Sequence, residues 1–229
     1  MYPLDHARVR RQYRDQYETQ FKKEVALLFQ FRGKPHLQQF QRVVYDKLAI
    51  EEPRAEFDLH DLIHDTARFN PAVARRAIRH VCRGMGALHE LGVLVRDLKI
   101  ENVLCFKDRE RNLCFRIADF NIYQQNLLCP IEMHKGGDPK DKSGTHFAPE
   151  EVDKENFGLS ADVWRFGVLV FLLTNNDHDK TDAYEAVCDD KKRYDKMVGR
   201  GAHLVADPRE RVAGPSMAAF WTAEEKKWK

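Results

Sequence analysis

Hydrophobic residues recur at helical spacing in three separate stretches of the chain. Between residues 13 and 32, Phe21, Val25 and Leu28 fall on one face, which predicts an amphipathic helix. The Gly33-Lys34-Pro35 segment ends this helix, because glycine and proline together do not continue helical geometry.

The other two predicted helices differ in how far the apolar surface extends around them. After Asn70, a residue suited to an N-cap, Pro71 begins a stretch with an apolar stripe that runs to Gly92. Residues 160–173 are apolar on nearly all sides, which predicts a helix buried within a domain. A last helix is expected near residues 215–221.

Two short apolar runs, at residues 103–106 and 113–117, flank a charged segment and predict a β-hairpin. Val43-Val44-Tyr45 is a further β-type run. Residues 121–147 have little periodicity and are interpreted as a long loop. Helices therefore predominate, with a few strands between them, which indicates an α+β fold.

Composition narrows the classes of protein to which the chain can belong. Its 229 residues are 43% hydrophobic and 32% charged, with a net charge of +2. Acidic and basic residues are interleaved, so no nucleic-acid partner is expected. No apolar run has the length of a signal peptide or a membrane span. Five cysteines without a C-x-x-C pair fit a reducing compartment, so the predicted location is the cytosol or the nucleus. The protein is either one of the cell's own or a viral protein in a host cell.

The residues with the most informative chemistry lie between positions 95 and 121. Asp97, Lys99 and Asn102 fall within one turn, and Asp119 follows the predicted hairpin. A general base, a cation and two oxygen ligands for Mg²⁺ are the groups that phosphoryl transfer requires. This spacing is the strongest functional signal in the chain.

Arg96-Asp97-Leu98-Lys99, Asn102 and Asp119-Phe120 together resemble the catalytic loop and metal-binding segment of the eukaryotic Ser/Thr protein kinases. The resemblance implies that Asp97 accepts the proton of the substrate hydroxyl and that Lys99 lies near the transferred phosphate. It implies further that Asn102 and Asp119 bind Mg²⁺ beneath ATP.

Further positions extend the resemblance over residues 13–222. Thr145 resembles the residue that braces Asp97 and Lys99 in Ser/Thr kinases. Glu150 is expected to pair with Arg211, and Asp162 to accept hydrogen bonds from the backbone near Arg96. Two positions depart from the family pattern: Val95 stands where the family has histidine, and Asn121 where it has glycine.

The start of the chain departs further from the family pattern. About a dozen residues precede Tyr13 and none is glycine, too few for three strands with a glycine-rich loop and a strand lysine. Arg10 stands where that lysine would lie, and Glu24 corresponds to its helix partner. We favour a solvated basic N-terminus over an Arg10–Glu24 pair, and Glu24 is equally well explained as the polar edge of its helix.

Two groups of possible ligands are given ordinary structural interpretations. Cys105 and Cys114 lie on the two hairpin strands and are interpreted as buried free thiols facing each other. His60 and His64 have a metal-capable i, i+4 spacing, but no third ligand is in view, so they are interpreted as a surface pair.

The prediction is a kinase-like α+β fold consisting mostly of the helical C-terminal lobe. Residues 1–57 form a reduced small lobe of one helix and about two strands, and residues 58–229 form the helical lobe. The resemblance implies ATP- and Mg²⁺-dependent phosphorylation of protein serine or threonine, with weak ATP binding. One alternative is a pseudokinase that binds and inhibits another kinase or its substrate, which is what a resemblance to the truncated kinase relatives of large DNA viruses implies. The other is an incomplete product of a kinase gene.

Overall fold

The computed structural model describes residues 2–5, 8–95, 97–119 and 158–174, which form two small antiparallel sheets and four α-helices. The first sheet has the strand order β1-β2-β4-β3 and the second has the order β5-β6-β7. The strands are β1 (Tyr2–Asp5), β2 (Arg8–Gln12), β3 (Arg42–Val44), β4 (Ala49–Pro53), β5 (Phe57–Asp58), β6 (Val103–Lys107) and β7 (Leu113–Ile117).

Two of the helices begin where the sequence supplies a side-chain capping group. Asp58 accepts a hydrogen bond from the Asp61 amide, and Asn70 accepts from the amides of Ala72 and Val73. The chain after the third helix turns back through Gly92 at a φ of 68°. The helices are α1 (Glu18–Gln30), α2 (Leu59–His64), α3 (Pro71–His89) and α4 (Leu159–Thr174).

One continuous hydrophobic core joins the helices to both sheets. It includes Phe21 of α1, Ile50 of β4 and Trp164 of α4, each at most 2% exposed. Residues 161–169 are all buried, which explains why α4 is apolar on nearly every side. No helix among the described residues has the length and apolar character needed to cross a membrane.

The connection between α1 and β3 attaches the first sheet to the second. Leu37 forms a parallel β-bridge with Ile117, and the Gln38 amide donates to the Ile117 carbonyl at 2.8 Å. The Ile117 amide in turn donates to the carbonyl of His36 at 3.0 Å. This connection therefore attaches α1 and the first sheet to the strand that precedes Asp119.

The expected strand count for residues 1–57 is wrong, since the first sheet has four strands rather than about two. Strand β2 escapes an apolar-periodicity search because three of its five residues are arginines. It pairs in register with β4, where Arg10 lies opposite Glu51 and Val9 opposite Glu52. Cross-strand ion pairs stabilise this pairing, which the local sequence does not reveal.

Several sequence predictions fall outside the described residues. They are the loop at 121–147, the helix near 215–221, the Glu150–Arg211 pair and the position of Thr145. The hairpin at 103–117 is confirmed, but its register pairs Cys105 with Phe115 and Cys114 with Phe106. The two cysteines are therefore not directly opposite each other; Cys105 is buried and Cys114 is only partly so.

Candidate active site

The turn between α3 and β6 brings Asp97, Lys99 and Asn102 into direct contact. The Lys99 ammonium lies 3.1 Å from Asp97 Oδ2. The Asn102 side-chain amide donates to the Asp97 carbonyl at 2.8 Å and to Asp97 Oδ2 at 3.0 Å. Two donors thus hold one carboxylate oxygen of Asp97 in place, while the Asp97 side chain remains 39% exposed and accessible to a substrate.

Strand β7 delivers Asp119 next to this turn. The Ala118 amide donates to the Asn102 carbonyl at 2.9 Å, so the end of the hairpin is attached to the turn through its backbone. Asp119 adopts a φ of 56°, a left-handed conformation that aspartate tolerates better than most residues. Its side chain is 49% exposed and therefore available to a ligand.

Arg11 of β2 lies at the centre of a second cluster, which contains three carboxylates. Its guanidinium lies 2.6 Å from Glu24 Oε1, 3.1 Å from Glu52 Oε1 and 3.6 Å from Asp119 Oδ1. The Tyr13 hydroxyl donates to the other oxygen of Glu24. Arg11 therefore connects helix α1 and the first sheet to the aspartate that follows the hairpin.

One guanidinium does not neutralise three carboxylates in this partly buried setting. Burial raises the pKa of Glu24 to about 7, against the attraction of Arg11 and with the repulsion of Glu52 and Asp119. Burial likewise raises the pKa of Glu52 above its usual range, although Arg11 opposes the shift. Three carboxylates thus share one guanidinium, and the raised pKa values of Glu24 and Glu52 relieve part of the negative charge that this leaves.

The structure corrects two sequence interpretations of this cluster. Residues 8–12 are a paired strand rather than a solvated terminus, and Arg10 pairs with Glu51 at 2.6 Å instead of Glu24. Glu24 is 7% exposed and bonded, so it is not merely the polar edge of its helix.

Sequence reasoning missed Arg11 and Glu52 as members of this site. A usable signal was present, because Arg11 and Tyr13 lie two residues apart. Residues at that spacing share one face of a strand, and both side chains reach Glu24.

A buried aspartate on α4 is hydrogen-bonded to the backbone just before this turn. Asp162 Oδ2 accepts from the Val95 amide at 2.7 Å and lies 3.1 Å from His89 Nε2. Burial alone would raise the pKa of Asp162, but the hydrogen bond from His89 and the nearby Arg165 hold it below its usual range. The expected hydrogen bond from the backbone beside Arg96 to Asp162 is confirmed.

The oxygen donors at this site suit a magnesium ion. The amide nitrogen of Asn102 is engaged by Asp97, so its side-chain oxygen is the atom that would bind an ion, and no described residue donates a hydrogen bond to it. Asp119 contributes a partly exposed carboxylate. Hard oxygen ligands of this kind are those that Mg²⁺ prefers, so the residues present fit the ion that the sequence implied.

Comparisons with known proteins agree on the family. The protein kinase domain model matches residues 7–202. The chain is 28% identical over 116 residues to the serine/threonine-protein kinase DCLK3 of Homo sapiens, covering 51% of this chain and 17% of that protein. It is 34% identical over 119 residues to the serine/threonine-protein kinase CG17528 of Drosophila melanogaster, covering 51% and 15%. These matches thus span less than a fifth of the relatives' own length.

A solved structure carries the same fold. The kinase domain in the crystal structure of the Rad53 kinase domain and SCD2 aligns with a TM-score of 0.63 at 16% identity, covering 93% of this chain and 78% of that one. The kinase-like α+β fold predicted from the sequence is therefore confirmed. Since the family model matches most of the chain, the protein belongs to the eukaryotic-type protein kinase family, among relatives that are serine/threonine kinases.

Proposed function

We propose that the chain transfers the terminal phosphoryl group of ATP to serine or threonine hydroxyls of protein substrates. The observation that carries this proposal is the bonded set of Asp97, Lys99 and Asn102, which the backbone of Ala118 joins to Asp119. A base, a cation and two oxygen ligands within one turn and the adjoining hairpin are what the reaction requires.

In this proposal Asp97 Oδ1 accepts the proton of the substrate hydroxyl. The side-chain amide of Asn102 and the ammonium of Lys99 both contact the other carboxylate oxygen, so they fix its direction. Lys99 also supplies positive charge beside the transferred group, whose oxygens carry the developing negative charge. Thr145, outside the described residues, is proposed to brace Asp97 and Lys99.

Asn102 and Asp119 are the proposed ligands of Mg²⁺, and Glu24 the proposed support of the nucleotide site. An ion held by these two residues would neutralise negative charge on the phosphate oxygens. Kinases normally pair a strand lysine with a helix glutamate at this place, and here Arg11 contacts Glu24. Arginine binds phosphate as a planar fork, whereas lysine acts as a point charge, so Arg11 would contact the nucleotide phosphates with a different geometry.

A second candidate function is binding without catalysis. Arg11 is engaged by three carboxylates, and the negative charge that remains on them opposes the entry of nucleotide phosphates. On this alternative, the chain is a pseudokinase that binds another kinase or a kinase substrate. Weak ATP affinity is expected under both proposals, so transfer itself must be measured.

The experiment compares three variants for Mg-ATP binding and for phosphate transfer. Thermal unfolding is followed with and without millimolar Mg-ATP, and radiolabelled phosphate transfer is measured on a degenerate Ser/Thr peptide library. We expect ATP to raise the midpoint, Asp119→Asn to remove that rise, and Asp97→Asn to keep it while transfer is lost. Glu101→Gln, an exposed carboxylate in the same turn, is the control and should change neither readout.

The outcomes separate the two functions. A midpoint that millimolar Mg-ATP leaves unchanged, together with no transfer, contradicts the kinase proposal and supports the binding module. Transfer that survives Asp97→Asn contradicts the assigned base, even if ATP binds.

A further inference from the structure

A second cluster of potential ligands lies outside the proposed active site, where three elements meet. His36 belongs to the connection between α1 and β3, His80 to α3 and Cys114 to β7. One ligand atom from each of the three side chains lies within 4.8 Å of the other two. All three residues are only partly buried, so the cluster is reachable from solvent.

We propose that His36, His80 and Cys114 form a binding site for Zn²⁺. Two imidazoles and one thiolate suit this borderline-soft ion, and a water molecule would complete a tetrahedral shell. Bonds of about 2.0 to 2.3 Å place the ligands of such a shell about 3.5 Å apart. The ligand atoms must therefore approach one another by up to about 1.3 Å. The rings of His36 and His80, which stack with their centroids 4.0 Å apart, must also turn so that their lone pairs converge on the ion.

The hydrogen bonds of His36 prepare it as a ligand. Its Nδ1 lies 3.2 Å from the carbonyl oxygen of Phe115, which accepts only, so Nδ1 carries the proton and donates. The lone pair of the neutral ring is then on Nε2. A backbone carbonyl that fixes the tautomer in this way is the usual partner of a metal-binding histidine.

His80 must exchange one hydrogen bond for the metal. Its Nδ1 accepts from the Phe115 amide at 3.2 Å, so that nitrogen carries a lone pair. A metal on Nδ1 displaces the amide, and a metal on Nε2 puts a proton on Nδ1 facing the amide. Either way the Phe115 amide loses its partner, and this makes it a local reporter of binding.

Positively charged side chains surround the three residues, so an anionic ligand, the thiolate of Cys114, is needed to hold a cation there. Arg76, Arg79 and Arg83 of α3 and Arg116 of β7 act on the two histidines, and their positive charge opposes a cation. Burial and these charges also lower the pKa of His36 and His80, which keeps both rings in the neutral form that binds metal. Zinc binding forms a Zn–S bond, and the Cys114 S–H proton passes to solvent.

Bound zinc would connect the small lobe to the hairpin that precedes Asp119. His36 adjoins Leu37, which already bridges to Ile117, two residues before Asp119. A bond through Cys114 and His80 adds a cross-link between this connection, α3 and β7. The site would thus link three elements of the fold, and its ligands are separate from the proposed Mg²⁺ ligands.

The test titrates the metal-free protein with Zn²⁺ and with Co²⁺. We expect one ion to bind per chain, with a Co²⁺ spectrum that includes the sulfur-to-metal charge-transfer band of a thiolate ligand. Cys114→Ser should abolish that band and weaken zinc binding about tenfold or more, since even loss of a ligand's hydrogen-bonding partner costs that much. The backbone amide resonance of Phe115 should shift on zinc binding in the unmodified protein.

His60→Gln is the matched control and should leave the spectrum unchanged. His60 lies with Asp58 and Asp61, apart from the three proposed zinc ligands. If His60→Gln abolishes binding while Cys114→Ser does not, the site is misassigned. Should Cys114→Ser misfold, alkylation of the unmodified protein decides the matter: zinc must protect Cys114 from iodoacetamide. Equal labelling of Cys114 with and without zinc overturns the proposal.

Discussion

At the scale of single residues, Arg11 is the side chain on which the proposed nucleotide site depends. Arg11→Met leaves Glu24, Glu52 and Asp119 without their shared cation. We expect the free energy of unfolding to fall by about 3 kcal/mol, the usual cost of removing one partner from a buried ion pair. The loss should be greater at pH 8 than at pH 6, because Glu24 has a pKa of about 7 and is largely protonated at the lower pH.

Two neighbouring variants test this explanation by urea unfolding. Arg10→Met should cost less and show no step near pH 7, because its partner Glu51 keeps Arg8 at 3.7 Å. Arg11→Lys keeps the charge and should recover part of the stability. Equal, pH-independent losses in Arg10→Met and Arg11→Met would contradict the assignment of Arg11 as the shared cation.

Glu24 makes the free energy of unfolding depend on pH. Its pKa rises from 4.5 to about 7 on folding, so the native state holds the proton more tightly. The free energy of unfolding should therefore decrease as pH rises from about 4.5 to about 7. Glu24→Gln removes this contribution, which is about 3 kcal/mol at 1.36 kcal/mol per pKa unit.

Urea titrations at pH 5 and pH 8 measure the effect of Glu24→Gln. The free energy of unfolding of the variant minus that of the unmodified protein should be more positive at pH 8 than at pH 5. Glu18→Gln, at the exposed start of the same helix, should show no such difference. A Glu24→Gln effect that is the same at both pH values would show that Glu24 keeps an ordinary pKa.

At the scale of elements, Gly84 permits the close contact between α3 and the connection that carries His36. A Cβ at this position would lie 2.7 Å from the His36 carbonyl oxygen and 3.1 Å from Ile117 Cδ1. Alanine usually stabilises a helix interior relative to glycine by about 1 kcal/mol. Here Gly84→Ala should instead destabilise the protein by about 1–3 kcal/mol, because backbone atoms must move.

Thermal and urea unfolding of Gly84→Ala measure the sign of this effect. The control is Gly158→Ala, where a Cβ meets no atom of the described residues within 4 Å and no positive φ is imposed. That variant should change stability by less than about 0.5 kcal/mol. A stabilising Gly84→Ala substitution would mean that the connection moves away from α3 at little cost.

The elements that the sequence predicts are those whose pattern is visible within a short stretch of the chain. Helices α1, α3 and α4 and the β6–β7 hairpin bury apolar faces, so their periodicity is visible locally. Asp97, Lys99 and Asn102 were identified because they lie within six residues. Strand β2 was missed because it lacks apolar periodicity and its partners Glu51 and Glu52 lie 41 residues away.

At the scale of the whole molecule, the described residues form one core rather than one core per lobe. Ile50 of the small sheet and Trp164 of α4 belong to the same cluster of buried side chains. Leu37, which bridges to Ile117, belongs to it as well, so the connection after α1 is part of the shared packing. Continuous packing of this kind makes local opening of one lobe costly, and unfolding should be cooperative.

Ile50→Ala tests this cooperativity, because it removes buried volume from the small sheet only. Ile50 is fully buried, so the substitution should cost about 2–5 kcal/mol. In a background with Trp221→Phe and Trp228→Phe, fluorescence reports Trp164 alone, in the helical lobe. If the two lobes unfold together, Ile50→Ala lowers the fluorescence midpoint by the same amount as the far-ultraviolet circular dichroism midpoint. A fluorescence midpoint that stays at its original value would mean that the small lobe unfolds separately and that the shared core does not couple the two lobes.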